Sequence, residues 1–435
     1  MDYKVFGCKT NKYFAEKWLV HPHLSDKDGY FIASCVVTDK AKTKWVKHAK
    51  KILPTIEDGK KLFLSGCGNI RDGVVDPRFF EIYHELEDYR EKIEILPEDP
   101  DDFHVTAEEK KAMMLTKIRS LKKLAWKELF TRKYMVIQTG CDNFCTFCLT
   151  VQARGRHKWR PMEEIISEIR EFVEHGGKEV VFTGINLWAW WAPSSNDYML
   201  SKFGDLVEAV LRDTTLERLR ISSLGVEFLS DRVIDLFRDT RINAYVHLSI
   251  QSGSSSILRA MNRHYDGNRV SDVLSKLRNI ERDDGTMLNI WADLIVGFPG
   301  ETDDDFSDTL ELVEHYQITQ LHAFAFSPHV DHYSVPAGAY PDQVPNHIAQ
   351  SRLKALQRAG EVAYTTFASA NIGRELAVLV EKTSPSGTWS GWSENYLTCD
   401  ESNFVQYEWQ KIARGLVVRG VYQGVSERRG EKKEE

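Results

Sequence analysis

The sequence predicts an α/β protein built around a partial parallel (β/α)6 barrel, with an α/β domain before the barrel and a small all-β barrel after it. Between residues 131 and about 330, six β-rich apolar runs alternate with amphipathic helical stretches, which is the pattern of parallel strands joined by crossover helices. The first 70 residues also alternate strand and helix. After about residue 371 only short β-rich pieces separated by turn signals follow, and these favour an all-β barrel.

Residues 1–105 form the predicted amino-terminal domain. Its strands and helices alternate in the order Tyr3–Phe6, Asn11–Leu19, Tyr30–Val37, Lys40–Ile52 and Leu62–Leu64. Cys8, Cys35 and Cys67 fall at or near the carboxyl ends of the three strands. Those ends point the same way in a parallel sheet, where ligands bind in the crevice outside them, so the three distant thiols can converge on one point. Three separate, buried cysteines are an equally weighted alternative.

The composition turns acidic and then basic between residues 95 and 130, so we predict a linker and a basic helix over 106–130. From Lys110 to Lys133 there are nine Lys or Arg residues and one acid, Glu128. Such a run is either a solvated helix face or a phosphate-binding patch. Charge alone does not decide between them.

Residues 131–368 contain the predicted parallel barrel. Its helices include residues 161–176, where Pro161 suits a first helical position, and residues 303–316. Active sites of such barrels lie at the carboxyl ends of the strands. The six predicted strands are Tyr134–Gln138, Glu179–Thr183, Leu219–Ser222, Tyr245–Ile250, Leu288–Val296 and Gln320–Phe326.

Residues 369–426 are predicted as the small β-barrel and residues 427–435 as a polar tail. The chain has 57 Lys and Arg against 64 Asp and Glu, a net charge of −7, which excludes a globally basic nucleic-acid-binding protein but permits a local basic face. No apolar run approaches 20 residues, so no membrane-spanning helix is expected. Because the first residues lack the basic-then-apolar order of a secretory signal, we expect a cytoplasmic protein.

Cys141, Cys145 and Cys148 follow the first predicted barrel strand with the spacing CxxxCxxC. In a cytoplasmic chain such a cluster indicates a metal or catalytic site rather than disulfides. Structural zinc takes four ligands, and His157 is near enough in sequence to keep a zinc site open as an alternative. Three close thiolates better suit a [4Fe–4S] cluster with one iron left for a non-protein ligand.

At these residues the sequence resembles the radical S-adenosylmethionine superfamily, in which an aromatic residue, here Phe147, precedes the last cysteine. The resemblance implies that the open iron binds S-adenosylmethionine and that cluster and cofactor together generate a 5′-deoxyadenosyl radical. It identifies the predicted barrel as a radical S-adenosylmethionine barrel.

Over nearly the whole chain the sequence is similar to the methylthiotransferases of that superfamily, whose small β-barrel is of the TRAM type. The resemblance implies a second [4Fe–4S] cluster on Cys8, Cys35 and Cys67 that delivers sulfur. The segments that carry it are GCKTNKY at 7–13, ASCVVTDKA at 33–41, SGC at 65–67, ARGRHKWRP at 153–161, HLSIQSGS at 247–254, MNRHY at 261–265 and DLIVGFPGET at 293–302.

Several details resemble the branch that acts on N6-threonylcarbamoyladenosine. They are Lys9 after the first cysteine, VTDKA at 37–41, TGIN at 183–186, RISSL at 220–224, and FSPH with PDQVP within 326–345. The branch implies addition of a methylthio group to C2 of that nucleoside at position 37 of tRNA. It also implies a grip on the anticodon stem-loop, an electron donor such as a flavodoxin or ferredoxin, and a monomer.

Four departures from the family pattern leave the N6 modification open. Ala33 and Ser34 replace Asn-Thr before Cys35, Asn186 replaces a His, and Gly225-Val226 replace Glu-Pro. His329 stands where the family has an Arg. The alternatives are therefore a sibling that modifies isopentenyladenosine in tRNA, a sibling that modifies an aspartate of a ribosomal protein, and a non-catalytic Fe–S protein that binds RNA. The sequence does not decide the sulfur source or which tRNAs are modified.

Candidate ligand-binding residues follow from the same resemblance. Gly184, Ile185 and Asn186 stand where the superfamily backbone meets the methionine amino group, with a plain loop as the alternative. Further predicted contacts of S-adenosylmethionine are Phe147, Ser222, Gln251, Val296 and Gly297. The residues predicted to hold cofactor or RNA phosphate, with surface salt bridges as the alternative, are Arg154, Arg156 and Arg160.

Three further features have weaker interpretations. Trp188, Trp190 and Trp191 either stack on an unpaired base or form a small core under a loop. Cys399 is expected to be a buried structural thiol. The histidines show no HxxxH pair, so none is assigned to a metal.

Overall fold

The computed structural model describes residues 1–25, 27–102, 131–329, 334–406 and 412–425. The predicted basic helix over 106–130 and the predicted tail over 427–435 lie outside these residues. Among the described helices, none is long and apolar enough to cross a membrane.

The amino-terminal part forms a four-stranded parallel sheet in the order β1-β2-β3-β6. Its central strands are buried, and helices pack on both faces because each strand is followed by a crossover segment. The strands are β1 (Asp2–Val5), β2 (Gly29–Ser34), β3 (Lys61–Gly66), the two-residue hairpin strands β4 (Ile70–Arg71) and β5 (Val74–Val75), and β6 (Ile93–Ile95). The helices are α1 (Lys9–Leu19), α2 (Pro22–Ser25), α3 (Asp39–Ile52) and α4 (Phe79–Ile82).

Six parallel strands then form the partial barrel in chain order, as two three-stranded sheets joined by bridges from Leu219 to Ile242 and from Leu224 to Leu248. Their helices cover the outside. The strands are β7 (Lys133–Val136), β10 (Glu179–Thr183), β11 (Arg218–Ile221), β12 (Tyr245–Gln251), β13 (Asn289–Val296) and β14 (Gln320–Ala325), with a small hairpin of β8 (Gln138–Thr139) and β9 (Lys158–Trp159) after β7. The helices are α5 (Thr150–Arg154), α6 (Met162–Glu174), α7 (Phe203–Asp213), α8 (Asp231–Leu236), α9 (Ser255–Ala260), α10 (Gly267–Arg278), α11 (Asp303–His315) and α12 (Asn346–Ala370).

The chain ends in a five-stranded antiparallel sheet that curls into a half-barrel, in the order β17-β16-β15-β19-β18. The predicted fold class is thereby confirmed. The strands are β15 (Glu375–Thr383), β16 (Trp389–Ser393), β17 (Thr398–Asp400), β18 (Phe404–Gln406) and β19 (Val417–Tyr422).

Two local predictions were wrong by small amounts. The first barrel strand ends at Val136, because Gln138 turns away to pair with Trp159 in the β8–β9 hairpin. Pro161 precedes α6 as its N-cap, with an extended backbone, and the helix begins at Met162. Proline suits this position too, because its fixed φ and missing N–H cost nothing there.

A helix of the amino-terminal domain packs inside the barrel against its first two strands. Val180 and Phe182 of β10 face the outer helices, whereas Val181 faces the barrel interior because side chains alternate along a strand. On that inner face Tyr13 and Phe14 of α1 pack against Val181 and its neighbours on β7. The helix that follows Cys8 therefore occupies the β7–β10 side of the barrel interior and brings that cysteine to the mouth.

The opposite end of the barrel is closed by a buried network of charges. Glu179, which is fully buried, accepts hydrogen bonds from Arg218 at 2.8 Å and from Arg220 at 2.9 Å, and lies 3.5 Å from Arg132. These guanidinium groups hold the pKa of Glu179 well below its usual range. The arginines also reach the carboxy-terminal sheet: Arg132 donates to the Tyr396 hydroxyl at 2.7 Å and Arg218 to the Ala377 carbonyl at 2.9 Å.

We expect Glu179→Ala to lower the free energy of unfolding by about 3–5 kcal/mol, because it leaves buried arginines without their counter-charge. The measurement is urea denaturation followed by circular dichroism. The matched control is Glu217→Ala, whose carboxylate pairs with Lys178 at the surface, and which should cost less than about 1 kcal/mol. Equal losses in the two variants would contradict this account of the network.

Candidate active site

Cys141, Cys145 and Cys148, the barrel thiols, lie in the loop between β8 and α5. Gly140 has a φ of +67°, and a Cβ there would lie 1.9 Å from the Arg156 carbonyl oxygen, so only glycine fits before the first thiol. The loop is docked on the segment after α9, where Thr146 N donates to the Met261 carbonyl at 3.1 Å. The barrel thiols are thus held at the carboxyl ends of the strands.

The barrel thiols are mutually close, and one of them, Cys145, accepts from a cationic donor. Burial raises the pKa of Cys141 to about 12 and also raises that of Cys145, and the neighbouring thiols add to both shifts. Arg263 donates to Cys145 Sγ at 3.3 Å and pairs with buried Glu227 at 3.4 Å. Three thiols with one arginine to offset their charge suit an iron–sulfur cluster, whose metal would keep buried sulfurs deprotonated.

His157 does not complete a zinc site. Its Nδ1 accepts from Gln138 Nε2 at 2.8 Å, and its Nε2 lies 3.2 Å from the Ala192 carbonyl. Both ring nitrogens are therefore occupied. The structure favours the three-thiol arrangement over a zinc site with His157 as the fourth ligand.

Cys8, Cys35 and Cys67, the amino-terminal thiols, also lie together. Cys35 and Cys67 are buried and hydrogen-bonded to each other, and Cys8 is exposed but close enough to interact electrostatically with Cys35. The hydrogen bond with Cys35 and the charge of Arg154 lower the pKa of Cys67 to about 6, while the shared proton raises that of Cys35. The fold thus assembles a second set of three thiols from three strand ends, with donor chemistry that suits a second iron–sulfur cluster.

The five-residue helix α5 joins the two thiol sets. At its start, Thr150 N donates to Cys148 Sγ at 3.4 Å. At its end, Arg154 hydrogen-bonds Cys67 and pairs with buried Glu98 at 2.6 Å. Ala153 packs against Cys35 and Cys67. The predicted role of Arg154 in holding an RNA phosphate does not fit this buried, fully engaged position.

The other two predicted arginines differ from each other. Arg160 donates to the Tyr13 hydroxyl at 3.1 Å and to Glu168 at 2.8 Å, so it joins α1 to α6 as an ion pair. Arg156 has a side chain that is 73% exposed, lies 3.3 Å from Asp142 and stacks over Phe144. Of the three, Arg156 is the one placed to meet an anionic ligand.

The predicted cofactor loop after β10 is fixed by a glutamine. Gln138 Oε1 accepts from Ile185 N at 3.0 Å and from Asn186 N at 2.7 Å, and Gly184 packs against the Gln138 backbone. The Asn186 amide nitrogen is buried and has no hydrogen-bond partner among the described residues. An unpaired amide at a strand end beside the barrel thiols suits a polar ligand such as the methionine part of S-adenosylmethionine.

The remaining predicted cofactor residues lie at strand ends with varied surroundings. Ser222 and Gln251 are buried, and Gln251 has a φ of +71° at the end of β12. Val296 is in the main core, and Phe147 packs near Phe298. Their roles remain predictions.

Packing against α12 explains why residue 297 is a glycine. Its φ is +68°, and a Cβ would lie 2.5 Å from the Ala349 side chain of α12. Its N–H donates to Glu301 at 2.7 Å. The close approach that makes glycine necessary is therefore to α12, and a contact with adenine remains a prediction.

The weaker sequence interpretations have distinct outcomes. Trp188 and Trp190 are buried in the main core, which supports the small-core alternative, whereas Trp191 is partly exposed and stacks on Trp159 at 4.5 Å. Cys399 is fully buried in the apolar core of the carboxy-terminal sheet, as expected. His329, at one of the departures, lies 3.5 Å from Asp39 of α3 and so connects the barrel to the amino-terminal domain.

Sequence reasoning missed a group inside the barrel. His247 of β12 lies 2.8 Å from Asp293 of β13, and His322 of β14 lies 3.2 Å from the same carboxylate oxygen. Their ligand atoms all fall within 4.8 Å of one another. No short motif predicts this, because the three residues come from separate strands and meet only through strand register. The sequence, which shows no HxxxH pair, assigns no histidine to a metal, and that assignment stays a prediction.

Residues 135–313 match the Radical SAM superfamily. The chain is 31% identical over 405 residues to "Threonylcarbamoyladenosine tRNA methylthiotransferase MtaB" of Thermotoga maritima, covering 91% of this chain and 89% of that protein. It is 28% identical over 404 residues to "tRNA-2-methylthio-N(6)-dimethylallyladenosine synthase" of Rickettsia bellii, covering 87% of each. The protein of that same name from Erythrobacter litoralis is 34% identical over 262 residues, 60% of this chain and 57% of that protein.

We expect Arg154→Leu to lower the free energy of unfolding by about 3–5 kcal/mol, because Glu98 is left buried without its partner. The measurement is urea denaturation of the metal-free protein. Replacing both residues by leucine should recover most of the loss, since no buried charge then remains. The surface control Arg156→Leu should stay within about 0.5 kcal/mol. A double variant as unstable as the single one would contradict the pairing.

Proposed function

Since the chain belongs to the methylthiotransferase family of the radical S-adenosylmethionine superfamily, we propose that it adds a methylthio group to C2 of N6-threonylcarbamoyladenosine at position 37 of tRNA. It is an enzyme of radical S-adenosylmethionine chemistry, which uses S-adenosylmethionine and a [4Fe–4S] cluster. The observation that carries the proposal is the meeting of two three-thiol sets at the two ends of α5.

The proposal includes a second [4Fe–4S] cluster on the amino-terminal thiols. Thr150 and Arg154 are separated by four residues, which is about 6 Å of helix rise. A sulfur atom held at the amino-terminal thiols would therefore be close to the barrel mouth. Each set also has one buried arginine paired with a buried glutamate, Arg154 with Glu98 and Arg263 with Glu227.

When bound, S-adenosylmethionine and the barrel cluster supply a 5′-deoxyadenosyl radical and the second cluster supplies sulfur, a combination able to replace an inert C–H bond. The chain's own residues position these groups and keep water away. Gln138 fixes the backbone of Ile185 and Asn186, and α1 packs inside the barrel against β7 and β10. Because the buried Glu179 network closes the opposite end of the barrel, substrate has to approach from the mouth.

Exposed groups near the mouth support an RNA substrate. Arg156, whose side chain is 73% exposed beside its partner Asp142, can meet a phosphate, and Phe144 is 49% exposed within the same loop. Arg132 and Lys133, at the end of the basic run, are buried in ion pairs with Glu179 and Glu168. The remainder of the run, from Lys110 to Lys127, lies outside the described residues, and we propose that it adds phosphate contacts. Binding to the anticodon stem-loop should therefore weaken as salt is raised.

The nature of the N6 group is supported by two kinds of evidence. The relative named for threonylcarbamoyladenosine aligns over 91% of the chain, and Lys9 and the TGIN segment resemble that branch. Asn186 and the relatives named for dimethylallyladenosine favour the sibling substrate as the second candidate. We further propose a cytoplasmic monomer that receives electrons from a flavodoxin or ferredoxin.

The first test concerns the two clusters. The reconstituted wild type should contain about eight irons per chain, and replacing either set of three cysteines by alanine should leave about four, with an electron paramagnetic resonance signal from the other set. Cys399→Ala is the matched control and should change nothing. A chain that loses all its iron when the amino-terminal thiols alone are replaced, while remaining folded, would contradict two independent clusters.

The second test concerns the product. Expression in a host that lacks its own methylthiotransferases should produce 2-methylthio-N6-threonylcarbamoyladenosine, detected by mass spectrometry of tRNA nucleosides. The Cys145→Ala variant should produce none. The isopentenyl product would establish the sibling substrate instead. If neither forms although both clusters are loaded, the tRNA proposal fails, and a ribosomal-protein substrate or a non-catalytic role takes its place.

A further inference from the structure

Helix α3 carries a row of lysines along its outer face, which we call the lysine stripe: Lys40, Lys44, Lys47 and Lys51. All four residues are exposed, and none of their ammonium groups makes a hydrogen bond or ion pair within the described part of the chain. Because residues three and four apart are neighbours on a helix surface, the four charges lie in one line. The line covers about 16 Å of helix rise.

The buried residues of α3 fix the direction in which the lysine stripe points. Trp45, Val46 and Ala49 pack in the core of the amino-terminal domain with Ile32 of β2 and Leu64 of β3. With about 3.6 residues per turn, the lysine stripe falls on the side of the helix opposite to Trp45 and Ala49. The stripe therefore faces solvent, and the packing of the domain does not use it.

The lysine stripe works against the stability of its own helix. Like charges at these spacings destabilise a helix, and Lys40 is in the first turn, where the helix dipole disfavours a cation. Asp39 is the one acid of α3, and it is occupied by Ser327, which donates to it at 2.5 Å, and by His329 at 3.5 Å. The repulsion is relieved when an anion from outside the chain binds along the stripe.

Helix α3 also begins at the barrel mouth. It follows the carboxyl end of β2, where Cys35 lies, and its Asp39 contacts Ser327 and His329, which come after β14. As the crossover between the parallel strands β2 and β3, the helix then runs away from the mouth. An extended anion that enters the mouth at one end can therefore continue along the lysine stripe.

The composition of the lysine stripe favours a nucleic acid over an acidic protein. Protein interfaces are depleted in lysine and enriched in arginine and aromatic residues. Here the stripe is lysine alone, and the other fully exposed residues of α3 are Thr43 and Lys50. Flexible ammonium groups without apolar neighbours suit a row of phosphates, whose binding is electrostatic.

Resting on the proposed function, we propose that the lysine stripe binds the phosphate backbone of tRNA beyond the nucleotides at the mouth. Arg156 would meet a phosphate at the mouth itself, whereas the stripe holds the part of the tRNA that extends away from it. Phosphate contacts set the position of a nucleic acid without distinguishing its bases. The stripe therefore contributes affinity and orientation and leaves the choice of nucleoside to the mouth.

The test is equilibrium binding of a full-length tRNA transcript, with adenosine at position 37, to the anaerobic holoprotein over a range of salt concentrations. The variant combines Lys44→Gln, Lys47→Gln and Lys51→Gln. The steepness of the plot of log affinity against log salt should fall by about 2 to 3, because each lost phosphate contact removes about 0.7 to 0.9. Lys47→Gln alone should lower it by about 1.

Two matched variants separate phosphate contacts from net charge. Replacing the same three lysines by arginine should keep the wild-type steepness, because the charges remain. The combination of Lys276→Gln, Lys354→Gln and Arg358→Gln removes three charges from the outer helices α10 and α12, and it should also keep the wild-type steepness.

An unchanged steepness in the triple glutamine variant of the stripe would overturn the inference. An equal fall in the control on α10 and α12 would do the same, because net charge would then explain the effect. Unchanged tRNA binding together with slower reduction of the clusters by an acidic flavodoxin would assign the stripe to a protein partner instead.

Failure of this inference and failure of the proposed function are distinguishable. Formation of the methylthiolated nucleoside together with an unchanged steepness would contradict the role of the lysine stripe alone. A wild type that binds no tRNA at any salt concentration would contradict both. A lowered steepness in the triple variant, with no methylthiolated nucleoside formed by the wild type, would contradict the proposed reaction and leave the binding surface standing.

Discussion

The buried ion pair between Arg154 and Glu98 is the contact on which the arrangement of the two thiol sets depends. It joins the end of a helix that begins at one set to the domain that contributes the other. A guanidinium group and a carboxylate that are both removed from water tolerate little displacement, because each loses its counter-charge. Since Arg154 also contacts Cys67, any separation of the two domains would disturb a sulfur ligand directly.

The amino-terminal domain contributes more than its thiols. Its first helix packs Tyr13 and Phe14 against β7 and β10 inside the barrel, where a closed barrel has layers of strand side chains. The same helix begins directly after Cys8. One element thus fills part of the barrel interior and positions a predicted cluster ligand.

At the opposite end of the barrel, buried charged side chains pair with one another. Glu179 is surrounded by arginines that also bind carbonyl oxygens of the carboxy-terminal sheet. Removing charged side chains from water costs free energy. Pairing each buried charge with an opposite charge offsets that cost and holds the side chains in one geometry. Here the pairing fixes the half-barrel beneath the radical barrel, and Tyr396 extends from it towards Lys9 and Tyr245. The carboxy-terminal domain thus also contributes an aromatic side chain, Tyr396, to the packing around Tyr245 and Trp291 of the barrel.

The sequence by itself determined the features that depend on residues near one another in the chain. Alternating apolar runs predicted the barrel strands, and most of them begin and end within one or two residues of their predicted limits because side-chain periodicity reports directly on a strand. The CxxxCxxC spacing predicted the barrel thiols, because the three cysteines are close to one another in the chain. The convergence of Cys8, Cys35 and Cys67 required one further step, the parallel arrangement of the strands that precede them.

Only the tertiary structure decided which distant side chains meet. In the sequence, Arg154 is one of several basic residues in a polar segment, which is typical of a protein surface. In the structure, packing buries it against Glu98 and Cys67. His247, Asp293 and His322 stand on three successive strands, and strand register together with the inward direction of each side chain brings them together. Register and packing depend on contacts across the whole barrel, so no local pattern of residues could have revealed that these three side chains meet.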